Sequence, residues 1–373
     1  MKSVKSPHSV LLICTRRIGD VLLASAALRA LKMTYPHAKI DMLVFAGTQG
    51  VVSANPDVRE VLTIAERPGL KATLHLLRRI WRSYDLAVSL LPGDRPTLYA
   101  WAAGRMRVGT LVDGDKGRWK RALLNRWIAF DNLGIHTVAM NLRVVGQAGA
   151  SGNAGPVVSW NSDDELKAAS LCEPLKSGKR FAVLHVSPKY AYKTWSKAGW
   201  SELGSWLEGQ GLAVVVAGGG SAEELRYVGS LLAGFPRGTI NLAGKMGLGA
   251  LGYMLSRAKL YVGTDTAVTH MAAALGVPTV ALFGPSNPVK WGPWPRGFAG
   301  KESPWKMRGS ERIANVYLVQ GEKHCVPCLL EGCDRHVGSL SDCLQQLPAG
   351  RVIAAARSVL DTAGNMGDQV LAG

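Results

Sequence analysis

Residues 10–45, VLLICTRRIGDVLLASAALRALKMTYPHAKIDMLVF, decide the fold. Val10–Cys14 is a short apolar run that reads as a buried strand, Val21–Lys32 carries apolar residues at helical spacing, and Ile40–Phe45 is a second apolar run. Strand, glycine-containing turn, helix and strand in this order make a βαβ unit, whose right-handed crossover sets the two strands parallel. The alternation continues through Val61–Ile64, Leu86–Leu90 and Arg107–Thr110, with a helical pattern over Ala72–Arg82. The first part of the chain is therefore expected to form an α/β domain with a doubly wound parallel sheet.

Ala148–Asn161 is dense in Gly, Ala and Ser without any period and reads as a linker, as does Glu173–Lys179. Strand patterns then restart at Phe181–Val186, Leu212–Ala217, Thr239–Asn241, Leu260–Gly263 and Thr279–Phe283. Helical patterns lie between them at Lys197–Glu208, Ala222–Leu232, Leu248–Arg257 and Thr266–Leu275. A chain of 373 residues suits two such domains. The expected division is 1–162, 163–348, and a C-terminal helix and tail over 349–373, in which Ala349–Leu360 is helical and braces either domain. Two parallel sheets facing one another would put a cleft at the C-terminal ends of their strands, where open α/β sheets bind ligands.

The formal charge of +17 is uneven: residues 1–162 hold 22 Lys and Arg against 10 Asp and Glu, so the N-terminal half is the one suited to an anionic partner. Nucleic acid, an acidic membrane surface and a phosphorylated glycolipid all fit such a field. No apolar run reaches the roughly 20 residues of a membrane span. The run Ser9–Cys14 after the basic first residues is too short for a signal peptide, so a cytoplasmic protein is expected. Six cysteines are too few for a disulfide scaffold at this length, which is consistent with a reducing compartment.

Five constellations carry chemistry. Arg16-Arg17-Ile18-Gly19-Asp20 follows the first strand, where Asp20 serves equally well as a helix cap or as a general base that takes a hydroxyl proton. There is no G-x-G-x-x-G at this place, which removes the dinucleotide fingerprint of a dehydrogenase. His185-Val186-Ser187-Pro188-Lys189, running on to Lys193, puts a hydroxyl and two cations on one loop after a strand, fit for a pyrophosphate or simply for solvent. Gly218-Gly219-Gly220-Ser221 precedes Glu223 and Glu224, a tight turn or a close approach to a ribose. Gly263-Thr264-Asp265-Thr266-Ala267-Val268-Thr269-His270 ends a strand and opens a helix, whose N-terminus attracts anions and whose Thr266 and His270 share a face. An Asp cap and a core His would give the same pattern. Cys325, Cys328, Cys333 and Cys343 crowd one segment, and the first pair has metal-ligand spacing, so the four could hold a structural zinc or iron or stay reduced thiols in a loop.

In this order the elements resemble the ADP-heptose:lipopolysaccharide heptosyltransferases, glycosyltransferase family 9. The likeness rests on RRIGDVLLASAALRALKMTYPHAKIDMLV at 16–44, NPDVREVL at 55–62, KTWSKAGWSELG at 193–204 and GTDTAVTHMAAALGVPTVALFGPSNP at 263–288. LPGDRPTLYAWAAGRMRVG at 91–109 and HTVAMNL at 136–142 look closest to the heptosyltransferase III branch. The resemblance implies the GT-B architecture of two Rossmann-like domains across a cleft. It also implies inverting transfer of heptose from ADP-heptose to the lipid A-core of lipopolysaccharide, with no cofactor required, at the cytoplasmic face of the anionic inner membrane of a Gram-negative cell. It makes Asp20 the base and puts Ser187, Lys193, Glu223, Thr264, Asp265, Thr266, Ala267 and His270 around the donor, although relatives commonly have Gly where Ala267 stands. Arg17, Arg95, Lys116, Arg118 and Lys120 would meet the acceptor. Some relatives heptosylate proteins, which makes a protein acceptor the alternative. A nucleic-acid-binding role would call for interleaved exposed aromatics or a basic recognition helix, and neither is evident.

Overall fold

The computed structural model describes residues 6–112, 114 and 117–370. Contacts divide the chain into two compact units, Met1–Ser159 with Ala299–Ser303, and Trp160–Phe298 with Pro304–Gly373.

The first unit holds a six-stranded sheet in the order β3-β2-β1-β4-β5-β6. Its strands are β1 (Ser9–Cys14), β2 (Lys39–Phe45), β3 (Glu60–Ile64), β4 (Tyr84–Ser89), β5 (Gly104–Leu111) and β6 (Arg126–Ala129), and every pairing is parallel. This is the Rossmann strand order, which reverses between β1 and β4, where Leu12 stands in register with Met42 on one side and Val88 on the other. The helices are α1 (Ile18–Thr34), α2 (Leu70–Ile80), α3 (Asp94–Ala103), α4 (Arg118–Leu123) and α5 (Thr137–Gly146). Leu11, Ile13, Leu43 and Leu62 pack under α2 and α3 on one face of the sheet. On α1, Val21–Ala27 and Leu28 are all buried, which suits a helix enclosed by the sheet and α5 and explains why its apolar residues run all round it.

The second unit repeats the plan. Its strands are β7 (Phe181–His185), β8 (Ala213–Ala217), β9 (Ile240–Asn241), β10 (Leu260–Thr264), β11 (Thr279–Phe283), β12 (Glu311–Ile313) and β13 (Val316–Gln320), ordered β12-β13-β11-β10-β7-β8-β9. Only β12 runs antiparallel to its neighbour, and without it the order again reverses once, between β7 and β10. Its helices are α6 (Ser162–Leu171), α7 (Glu173–Ser177), α8 (Lys197–Gly209), α9 (Ala222–Leu232), α10 (Leu248–Arg257), α11 (Ala267–Leu275), α12 (Pro288–Trp291), α13 (Asp342–Gln345) and α14 (Ala349–Val370). Helices α8 and α14 share one core with Leu184, Val216, Val262 and Leu282, in which Trp195 and Trp200 meet edge to face with ring centroids 4.9 Å apart.

Two sequence expectations change. Glu173–Lys179 is not linker: Pro174 opens α7, and Gly178 closes it at φ 69, a left-handed position that glycine adopts without strain. The last helix does not stop at Leu360 but runs on to Val370, and it braces the second unit through α8, β11 and β13. No helix among the described residues is long and apolar enough to cross a membrane.

Candidate functional site

Each sheet has one strand-order reversal, and the segments leaving the strands there carry Arg17, Asp20, Arg95, Ser187, Lys193 and the run from Asp265 to His270. In the first unit β1 leads through Thr15–Arg17 into α1. Arg17 is the N-cap, with extended backbone and no side-chain capping bond, so Asp20 is the third helical residue, in the first turn and near the cap. Asp20 is buried, with Arg16 Nε 3.6 Å from its Oδ1. Burial, and after it the Asp20 charge, pushes the neighbouring Cys14 thiol up, so this cysteine stays protonated.

The cations expected at the acceptor divide. Arg17 and Arg118 are exposed. Arg95 is also exposed, on the first turn of α3, and donates to the Glu66 carbonyl at 2.7 Å. Lys120 is buried and bonds Asp94 Oδ1 at 2.6 Å and the Pro92 carbonyl at 2.8 Å, so it braces α4 against α3 and its charge is already matched. Lys116 lies outside the described residues.

In the second unit His185 ends β7 and lies in register with Gly263 of β10, so the loops starting at Val186 and Asp265 leave the sheet side by side. Lys193 Nζ reaches across them to Asp265, 2.5 Å from Oδ2 and 3.3 Å from its carbonyl oxygen. Burial works against the Asp265 charge, but Lys193 and then His270 outweigh it and hold the carboxyl below its usual range. Thr266, and not Asp265, is the N-cap of α11, and its side chain makes no capping bond. Four buried polar atoms here have no hydrogen-bond partner: His185 Nδ1, Ser187 Oγ, Thr264 Oγ1 and His270 Nδ1. Buried polar atoms are nearly always paired, so each of these four calls for an explanation, and a polar ligand would supply one. Burial depresses both imidazoles to about 4, so they are neutral at pH 7.

Gly218, at the end of the neighbouring β8, has a steric reason: a methyl there would lie 2.6 Å from Ser187 Oγ. Ser221 and Glu224 form the capping box of α9, and Glu223 is exposed on its first turn; Ala267 is the first residue of α11.

Burial, and after it the charges of Cys328, Cys325 and Cys333, all push the Cys343 thiol up, so the four cysteines share one neighbourhood. Among the described residues no three His, Cys, Asp or Glu converge as metal ligands. Cys325 and Cys333 are exposed, whereas Cys343 is buried where the lone hydrogens of Gly284 and Gly321 leave it room. The segment and the residues after it are tied by hydrogen bonds to the loops that follow β7 and β11. Ala191 N donates to the Val337 carbonyl at 3.2 Å, Gln345 Nε2 to the Thr194 carbonyl at 2.8 Å, Trp195 Nε1 to the Leu347 carbonyl at 2.8 Å, and Leu329 N to the Pro285 carbonyl at 2.9 Å. Sequence reasoning had no means of finding Gln345, which lies 151 residues from its partner.

Residues 77–299 match the profile of glycosyltransferase family 9 (heptosyltransferase). Lipopolysaccharide heptosyltransferase 3 of Escherichia coli (strain K12) is 29% identical over 290 residues, covering 74% of this chain and 82% of that protein. Among solved structures, a family 9 glycosyl transferase from Veillonella parvula superposes with TM-score 0.74 at 20% identity, covering 95% of this chain and 97% of the other. The E. coli ADP-heptose lipopolysaccharide heptosyltransferase II gives TM-score 0.73 at 21% identity, covering 95% and 99%.

Proposed function

The chain belongs to glycosyltransferase family 9, the heptosyltransferases, and from that premise we propose that it moves heptose from ADP-heptose to the inner core of lipopolysaccharide, as a heptosyltransferase III-like enzyme. The observation that carries the donor site is the set of four unpartnered buried polar atoms beside the Lys193–Asp265 pair. An ammonium has three donors, and two of those on Lys193 are taken by Asp265, which leaves the third for a phosphate oxygen. The Thr266 hydroxyl and the first N–H groups of α11 face the same charge with the positive end of the helix dipole.

In this reading Asp20 accepts the proton of an acceptor hydroxyl as its oxygen attacks the anomeric carbon. The bond from that carbon to the ADP oxygen breaks on the opposite face, so configuration inverts. Lys193 and the α11 terminus take up the charge that builds on ADP, and no step calls on a metal or organic cofactor. Ser187, Thr264, Asp265 and His270 orient the diphosphate and sugar, and Glu223 approaches the ribose. Arg17, Arg95 and Arg118 meet the phosphates of the lipid acceptor, with the protein docked on the anionic cytoplasmic surface of the inner membrane. The cysteine segment acts as a structural clip on the donor loops.

The test is ADP release from ADP-heptose in EDTA with truncated core lipopolysaccharide as acceptor. Acceptor-dependent release by the wild type, lost in Asp20→Ala while ADP still binds, is the expected result. No release with any heptose-bearing core would overturn the acceptor assignment, and full activity in the variant would overturn the base.

A further inference from the structure

The turn that opens α11 is held from beneath by a chain of hydroxyl groups. Tyr261 on β10 is fully buried, and its phenol oxygen lies 2.9 Å from Thr269 Oγ1. Thr269, equally buried, donates to the Thr264 carbonyl, and its oxygen lies 3.3 Å from Thr266 Oγ1. A hydroxyl carries one hydrogen and two lone pairs, and a carbonyl only accepts. The Thr269 hydrogen is therefore committed to Thr264. Tyr261 must be the donor in its bond to Thr269, and Thr266 must be the donor in any bond it makes there. Burial pushes the Tyr261 phenol up, so it keeps its hydrogen across the physiological range. The arrangement also accounts for Gly263, because a methyl at that position would strike the Tyr261 hydroxyl.

We propose that Tyr261 and Thr269 are positioning residues for the donor diphosphate, fixing the Thr264–Thr266 turn in the shape that receives it. This rests on the donor-site reading above. Neither residue has solvent-facing surface, so both act through the turn and not on the ligand. The accounting also describes the exchange on binding. Thr266 turns its hydrogen from Thr269 to a phosphate oxygen, while Thr269 keeps Tyr261 and Thr264 as partners, so no buried group is orphaned when the ligand arrives. Ligand binding then begins from a turn already ordered, with little conformational entropy left to lose.

The experiment compares Thr269→Val, Thr269→Ser and Tyr261→Phe with the wild type by calorimetric titration with ADP, alongside melting temperature. Thr269→Val keeps the shape and removes the hydroxyl, and a loss of ADP affinity of about tenfold is expected. Thr269→Ser restores the hydroxyl and should stay near wild type. Tyr261→Phe should weaken ADP several-fold on its own and by less in the Thr269→Val background, where one of its two hydroxyl partners is already gone. Unchanged ADP affinity in Thr269→Val, at whatever melting temperature, would show that the chain only supports the fold and would overturn the proposal. If that variant does not fold, Tyr261→Phe decides in its place, and wild-type affinity there overturns the proposal. A wild type that binds no ADP would sink the donor-site reading itself, a result separate from the other two.

Discussion

Replacing Lys193 with Met removes the partner of a buried carboxylate. The Asp265 side chain is 9% exposed and the Lys193 side chain 20%, with 2.5 Å between the charged atoms. Breaking such a pair from one side costs about 3–5 kcal/mol, because it leaves a charge buried without compensation. Ser286 still hydrogen-bonds the carboxyl, which places the loss near the lower end. Each kcal/mol lowers the melting point of a domain of this size by about 2–4 °C, so a fall of about 6–12 °C at pH 7.5 is expected. The pH dependence gives the cause. In the wild type the Asp265 carboxyl sits below its usual range, so its contribution to stability is complete above the ordinary carboxylate value and is lost only as pH falls through the lowered one. Without Lys193 burial prevails and raises the carboxyl, so the penalty is largest at neutral pH and fades as acid protonates Asp265. Urea midpoints from pH 7.5 down to pH 5 should therefore show the gap between Lys193→Met and wild type closing. Adding Asp265→Asn to Lys193→Met should recover most of the loss at pH 7.5. A gap that ignores both pH and the second substitution would refute the argument.

The two buried imidazoles predict an acid-sensitive fold. With His185 and His270 depressed to about 4, their contribution to stability is complete above the ordinary histidine value and is lost as pH falls toward the depressed one, at most about 3 kcal/mol each. Urea midpoints that stay level from pH 6.5 to pH 4.5 would contradict this. Gly218→Ala should displace Ser187, lowering stability by about 1–3 kcal/mol and weakening ADP, and a titration with unaltered affinity would remove Ser187 from the donor site.

The strands were legible because buried parallel strands are continuous apolar runs, as in Phe181–His185, and need no partner to be recognised. Strand β6 escaped because Arg126–Ala129 has four residues, none of them fully buried, and α7 escaped because five residues opened by a proline carry no helical period. At the site the motifs were visible but their pairings were not. Lys193 and Asp265 lie 72 residues apart, and only the β7–β10 register shows that the lysine meets a carboxylate before it can meet a phosphate. The cysteine spacing was equally plain, yet spacing does not fix burial: Cys343 lies buried beside Gly284 and Gly321, whereas Cys325 and Cys333 are exposed.

The outermost strands of the two sheets are β3 and β6 in one, and β12 and β9 in the other, with five, four, three and two residues. An edge strand is a template on which another chain can pair, and its hazard grows with its length and flatness. The longest strands, β1, β2, β4 and β5 with six, seven, six and eight residues, all lie inside, with both sides paired. Among the described residues, copies crowded together therefore meet open strand edges of five residues or fewer.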